Sequence, residues 1–139
     1  MGRDAVFPRI REIVDQDGDR FRVSMTVDEG GALIKLEHPV RSDGPWVVLD
    51  PAGAELLGSY LMSARLALPL GLPEENMQQG VVCSFRLVVA PAALVEITLG
   101  SRGIPFHIPV RFWDKLYAEL SLVVAHSRNL ASHTPVRIH

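Results

Sequence analysis

The chain of 139 residues contains one cysteine, Cys83, and no long uninterrupted apolar run. A single cysteine cannot form an internal disulfide, which is typical of proteins in a reducing cytoplasm. A helix that crosses a bilayer needs about 18 or more consecutive apolar residues, so we expect no membrane span. The segment Met1-Gly2-Arg3-Asp4 lacks the apolar character of a secretory signal. These features together predict a cytoplasmic protein.

Strong charge of one sign and abundant aromatic residues are also missing. The formal net charge is -2, and Phe, Trp and Tyr make up 6% of the chain. Nucleic-acid-binding domains are usually basic and often stack bases on aromatic rings, so both figures oppose that function. The chain is instead 47% hydrophobic with a mean hydropathy of +0.17. This composition predicts a single folded domain over residues 1–139, with apolar surface left for a partner.

Motifs that carry catalysis or cofactors are missing as well. The sequence contains no G-x-S-x-G, no G-x-x-x-x-G-K-[ST] and no H-E-x-x-H, and its five histidines lack the spacing of zinc ligands. The apolar context of Cys83 predicts an inert core thiol. The run from Asp15 to Asp19 resembles a calcium loop superficially, but Thr26 stands where that loop needs a glutamate. We therefore expect no enzymatic activity, no metal site and no cofactor.

Alternation of apolar and polar side chains predicts strands in both halves of the chain. The predicted strands are 10–14, 21–27, 32–37, 46–49, 82–89, 94–99 and 104–110. The pair Asp17-Gly18 predicts a tight type I′ hairpin between the first two strands. Pro105 and Pro109 flank the last strand, and proline has no backbone N–H to donate to a neighbouring strand, so we expect that strand at an edge.

Two helices are predicted, one at the end of each half. Asp50 followed by Pro51 is a good helix start, and apolar residues then recur at helical spacing until Pro69 and Gly71. A second helix is expected over residues 111–131, apolar nearly all round near Leu120. The fold class is therefore α+β, with antiparallel sheets and two helices.

The two halves also resemble each other. Phe21-Arg22-Val23 is matched by Phe85-Arg86-Leu87, and each motif precedes further strands and a helix. We predict a duplicated strand-strand-strand-helix unit with pseudo-two-fold symmetry, although chance similarity of two such units is the alternative. The half-repeats span residues 9–68 and 81–131, with a linker at 69–80 and a tail at 132–139. This element order resembles the whirly-type single-stranded DNA-binding fold, an analogy that no residue motif carries.

Three functional hypotheses follow from these patterns. The first is a non-enzymatic homo-oligomeric binding or assembly module, because one small sheet cannot cover a helix that is apolar nearly all round. Its candidate interface residues are Trp113, Tyr117, Leu120 and Val124. The alternative is single-stranded nucleic-acid binding on polar strand faces, because arginine suits phosphate and bases. Its candidate contact residues are Arg9, Arg11, Arg20, Arg22, Lys35, Arg86 and His107. A small-molecule pocket beside Tyr60 or His126 is a third reading.

Overall fold

The computed structural model describes residues 9–15, 17–28, 31–38, 45–78, 81–100 and 104–133. These residues form two four-stranded antiparallel sheets, each followed by a helix, which confirms the α+β class. The elements of the first half are β1 (Arg9–Val14), β2 (Arg20–Asp28), β3 (Gly31–Glu37), β4 (Trp46–Leu49) and α1 (Pro51–Ala67). Those of the second half are β5 (Glu75–Met77), β6 (Cys83–Val88), β7 (Leu94–Leu99), β8 (Phe106–Pro109) and α2 (Trp113–His133). The predicted tail beyond His133 lies outside the described residues.

The strands of each sheet are ordered as they occur in the chain, β1-β2-β3-β4 and β5-β6-β7-β8. The last predicted strand, β8, therefore lies at an edge as expected. Strand β5 lies inside the segment 69–80, which we predicted as a linker. Three residues are too few for a period of two to show, so no sequence pattern marks β5. Each half consequently has four strands before its helix.

The hairpin between β1 and β2 is wider than the sequence predicts. Val14 pairs with Arg20, so the connection comprises residues 15–19 and is not a two-residue type I′ turn at Asp17-Gly18. The Asp15 carboxylate accepts hydrogen bonds from the backbone N–H groups of Asp17 and Asp19, both at 2.9 Å. Gly18 adopts φ 85°, a conformation that glycine reaches without strain. The side chain of Asp15 thus organises a longer loop.

Asp50 begins α1 as predicted. Its Oδ1 accepts from the Gly53 N–H at 2.7 Å, and its Oδ2 accepts from the Val81 N–H at 3.1 Å. One carboxylate therefore caps the helix and holds the chain entering β6. A 3₁₀ turn at Val110–Phe112 precedes α2. Ion pairs Arg65–Asp114 and Glu55–Arg128 link the ends of the two helices, which lie antiparallel.

The two halves share an apolar core. Helix α1 contacts β3, β4 and β6, and α2 contacts β1 and β3, so the helices lie against the inner faces of the sheets. The ring of Phe21 on β2 lies 5.4 Å from Phe106 on β8 and 5.6 Å from Phe112, measured between centroids. These aromatic contacts join the first sheet to the end of the second. The outer face of each sheet, opposite the helices, carries charged side chains together with some apolar ones.

Candidate interaction surfaces

The basic residues predicted on the first sheet lie on its outer face and pair with carboxylates there. Arg20 and Arg22 both contact Glu12, with N–O distances of 3.0 and 2.9 Å. The hydrogen bond from Arg22 is the main reason that the pKa of Glu12 lies below its usual value, with Arg20 adding to the effect. Glu37 lies 3.8 Å from Arg22 and 3.6 Å from Lys35. These side chains form a continuous row of alternating charges, in the order Arg20, Glu12, Arg22, Glu37 and Lys35, which we call the alternating chain.

A similar but shorter arrangement occupies the outer face of the second sheet. Glu96 accepts from Arg86 Nη2 at 2.8 Å and lies 3.0 Å from His107 Nε2. The hydrogen bond from Arg86, followed by that from His107, lowers the pKa of Glu96 below its usual value. Cross-strand pairs of opposite charge are ordinary contributors to sheet stability. Arg86 and His107 are thus already engaged by a carboxylate of their own sheet.

Arg9 and Arg11 do not lie on this outer face, which corrects the sequence interpretation. Strand β1 begins at Arg9, and its alternation places Arg9 and Arg11 on the side of the buried Ile13, while Ile10 and Glu12 point outward. Arg9 pairs with Glu119 of α2, and both side chains are only 14% exposed. Arg11 is exposed and donates to the Ile10 carbonyl at 3.2 Å. Arg9 therefore fastens α2 to the first sheet.

Sequence reasoning missed another arginine, Arg111, which follows β8. It pairs with Asp15 and Asp19 in the hairpin loop of the first sheet. Burial alone would raise the pKa of Asp15, but the hydrogen bonds from Arg111 and from the loop backbone bring it below its usual value. No local pattern could reveal this pair, because its members are separated by most of the chain.

The outer face of the first sheet also exposes large apolar side chains. The exposed fractions are 50% for Ile10, 40% for Val14, 36% for Leu33 and 53% for Trp46. The Lys35 ammonium lies 4.8 Å from the centroid of the Trp46 indole, within cation–π range. We call this set, together with the outward charged side chains of β1 to β4, the first-sheet outer face. Exposed apolar side chains beside charges are a feature of interaction surfaces.

The stripe predicted as the oligomer interface is mostly buried within the chain. Trp113, Leu120 and Val124 are 1%, 1% and 5% exposed, while Tyr117 is 37% exposed. The Trp113 indole N–H donates to the Ile108 carbonyl at 2.8 Å, so it is satisfied internally. Helix α1 packs against this stripe of α2. The periodicity of α2 predicts an apolar stripe but does not show that another helix of the same chain covers it. Only Tyr117 of the four is available to a second molecule.

A different helical surface is open. Along α1, Met62 and Leu66 lie on one side at helical spacing and are 41% and 77% exposed. Beside them runs a groove of about 280 Å³ between α1 and α2, bordered by Tyr117. Small residues line much of the groove, namely Ala54, Gly58, Ser59, Ser121 and Ala125. We call this groove with Met62, Leu66 and Tyr117 the helix-pair face.

Two further clefts are lined in part by polar side chains, several of which already have partners within the chain. One of about 380 Å³ is lined by His38, His107, Arg20 and Arg111, but the two arginines and His107 already contact carboxylates. His38 stacks on Phe106 with ring centroids 5.0 Å apart. The other, about 160 Å³, lies beside Tyr60. The Tyr60 hydroxyl donates to the Pro73 carbonyl at 3.0 Å and accepts from the Leu87 N–H at 3.1 Å.

Reactive groups are not gathered in the described part of the chain. Cys83 is 2% exposed, and burial raises the pKa of its thiol to about 11, so the nucleophilic thiolate is disfavoured. Among the described residues no three histidine, cysteine or acidic side chains converge as metal ligands. The searched helices include none long and apolar enough to cross a membrane. No protein-family model matches the chain, and no curated protein shows significant similarity to it.

Proposed function

We propose that the chain is a non-enzymatic binding and assembly module that forms a homo-oligomer, at its smallest a dimer, through the helix-pair face. The observation that carries the proposal is the exposure of Met62 and Leu66 on α1, together with a groove of small residues between the two helices that Tyr117 borders. We place the module in the cytoplasm, which its single buried cysteine supports.

The energetics of burial support contact at this face. Full burial of a leucine or methionine side chain contributes about 1.5–3 kcal/mol, and Leu66 is still 77% exposed in the single chain. Small residues such as Gly58 and Ala125 allow a second helix to approach closely, which increases the area buried per residue. A stable interface needs about 800 Å² from each partner, so the contact would extend along both helices beyond these side chains.

The charges of this face support a second copy as the occupant. Glu55 pairs with Arg128, and Arg65 pairs with Asp114, both within the chain. The two pairs balance, so two identical faces can meet without net repulsion. A two-fold dimer brings the same patch of each subunit together, which requires such self-compatibility.

The proposal is tested by the oligomeric state in solution. Light scattering coupled to gel filtration at tens of micromolar should give at least a dimer, and Met62→Glu should shift the protein toward monomer with an unchanged circular dichroism spectrum. Ile104→Glu is the matched control, because Ile104 is 73% exposed and belongs to neither helix. A wild-type monomer at that concentration would exclude the proposal.

Single-stranded nucleic-acid binding stays the alternative hypothesis. Arginine on outward strand positions supports it, as with Arg22 and Arg86. The carboxylates beside those arginines weigh against it, because a phosphate must displace Glu12 or Glu96 to reach them.

A further inference from the structure

We propose that the first-sheet outer face binds a protein segment that presents carboxylates beside apolar side chains. This surface lies on the opposite side of the first sheet from the helices, so the inference adds to the proposed assembly function and does not depend on helix-mediated dimerisation.

Strand register defines the surface. Glu12, Arg22, Glu37 and Trp46 face one another across β1 to β4 in one row. The adjacent row consists of Ile10, Ser24, Lys35 and Val48. A charged centre is therefore bordered by apolar side chains at both edges of the sheet. Tryptophan and arginine are the residues most often responsible for binding energy at protein interfaces.

The second sheet differs from the first at the edge of the charged row. Its corresponding row is Arg86, Glu96 and His107, so a histidine takes the edge position that Trp46 occupies in the first sheet. On one side of this row lies the polar row Asn76, Ser84 and Thr98, and on the other lies the apolar row Val88, Leu94 and Pro109, which corresponds to the row of Ser24, Lys35 and Val48. The two sheets thus share a central Arg–Glu pair and an adjoining apolar position, and they differ at the edge, where the first sheet carries an exposed tryptophan. Among the described residues, the combination of an exposed Trp46 with the cation Lys35 beside it is found on the first sheet.

The charges of the first-sheet outer face point to an acidic partner. The alternating chain contains three cations and two carboxylates, and cations stand at both ends, Arg20 and Lys35. Their side chains are 54% and 41% exposed, against 30% for Glu12 and 24% for Glu37. An approaching molecule therefore meets the cationic groups first. Carboxylates of the partner would contact the ends of the chain of charges, and such complementarity favours both speed and specificity of binding.

The same features disfavour the other occupants. A second copy would bring the exposed cationic ends, Arg20 and Lys35, toward the same groups, which costs energy at an interface. A nucleic-acid strand carries a phosphate on every nucleotide and would also set phosphates against Glu12 and Glu37, whereas a short protein segment can place its carboxylates at the cationic ends only. Base stacking would rest on Trp46 alone, the one aromatic ring on this face of the described sheet, and Lys35 already lies against that ring. A protein segment with both apolar and acidic groups fits the apolar border and the cationic ends together.

Trp46 provides an intrinsic reporter of occupation, because the other tryptophan, Trp113, is 1% exposed. The probe is a synthetic peptide of about ten residues in which leucine or phenylalanine alternates with glutamate, matching an extended segment. Binding should shift the emission of Trp46 to the blue and reduce its quenching by acrylamide. We expect dissociation constants of about 10–100 μM, and at least about tenfold weaker binding of the same peptide with lysine in place of glutamate.

Variants locate the site independently of the fluorescence signal. Anisotropy of the fluorescein-labelled glutamate peptide should show about tenfold weaker binding to Trp46→Ala, and a smaller loss with Lys35→Ala. His107→Ala is the matched control, because His107 holds the corresponding position on the second sheet, and it should bind as the wild type does. Met62→Glu, which disrupts the proposed dimer, should also bind normally, so failure of either proposal can be recognised separately.

Several outcomes would overturn the inference. They are an unchanged Trp46 signal with the glutamate peptide, equal binding of the lysine peptide, and equal losses for Trp46→Ala and His107→Ala. Tighter binding of oligo(dT) than of the glutamate peptide would assign the surface to nucleic acid. Protection of Trp46 by raising the concentration of the protein alone, without peptide, would assign it to a second copy.

Discussion

The side chain of Tyr60 joins three separate parts of the chain. It lies on α1, is 4% exposed, and connects the Pro73 carbonyl before β5 to the Leu87 N–H of β6 through one hydroxyl. Burial is the main reason that its pKa is raised above the usual value for tyrosine. The hydroxyl fulfils both its donor and its acceptor capacity, so it is best understood as a structural group and not as an acid or base for catalysis.

Replacing this hydroxyl should destabilise the protein. Tyr60→Phe leaves the buried Leu87 N–H without its acceptor, so we expect the free energy of unfolding to fall by about 1–3 kcal/mol. Urea denaturation followed by circular dichroism measures the change. Tyr117→Phe is the control, because that ring is partly exposed, and it should have little effect. Equal losses for the two variants would contradict the structural role of the Tyr60 hydroxyl.

At the scale of elements, α1 is stabilised by its cap and by contact with α2. Its glycines differ in what surrounds them. A Cβ added at Gly58 would lie 3.7 Å from Cδ1 of Tyr117, an ordinary contact, whereas a Cβ at Gly53 would lie 3.1 Å from the Asp50 Oδ1 that caps the helix. The same substitution should therefore have opposite effects at two positions in one helix.

We expect Gly58→Ala to stabilise the protein by about 0.5–1 kcal/mol, because alanine loses less backbone freedom than glycine when a helix forms. Gly53→Ala should instead lower stability, since the new methyl group crowds the Asp50 carboxylate and weakens a cap worth about 0.5–2 kcal/mol. Thermal denaturation of both variants at the same protein concentration provides the measurement. A stabilising Gly53→Ala would show that the cap adjusts without cost.

At the scale of the whole molecule, the charged side chains of the described residues lie mostly in pairs of opposite sign, and those residues form no continuous basic groove. Of the seven residues that we assigned to nucleic-acid contact, six pair with a carboxylate, and Arg11 contacts a backbone carbonyl. Phosphate binding derives much of its affinity from free cations that displace counterions. Such binding should therefore be weak.

We expect a fluorescent oligo(dT) to bind with a dissociation constant no tighter than about 100 μM at physiological salt, the weak end of the range of non-specific binding. Fluorescence anisotropy across a salt titration measures it. Arg22→Ala and Arg86→Ala should change the affinity little, because each arginine is occupied by a carboxylate. Micromolar binding that weakens steeply with salt and is lost in these variants would favour the nucleic-acid hypothesis over the assembly function.

Local patterns predicted the elements but not their surroundings. The alternation of apolar and polar residues predicted the longer strands, and Asp50 with Pro51 predicted the start of α1, because these signals depend on residues that are neighbours in the chain. Strand β5 was missed because it is three residues long. The β1–β2 loop was misjudged because the Asp15 side chain, and not the Asp17-Gly18 pair, organises it. Arg9 was assigned to the wrong face because alternation does not say which of the two faces is buried when both carry polar residues.

The sequence by itself determined the α+β class, the alternation of most strands and the two helices, since hydrophobic periodicity and capping act over a few residues. Only the tertiary structure decided which surfaces remain open. Packing of α1 on α2 buried Trp113, Leu120 and Val124 and left Met62 and Leu66 exposed. Strand register likewise placed Arg22 between two glutamates and Trp46 at the exposed edge. Exposure depends on contacts between residues far apart in the chain, and those contacts form only when the whole core assembles.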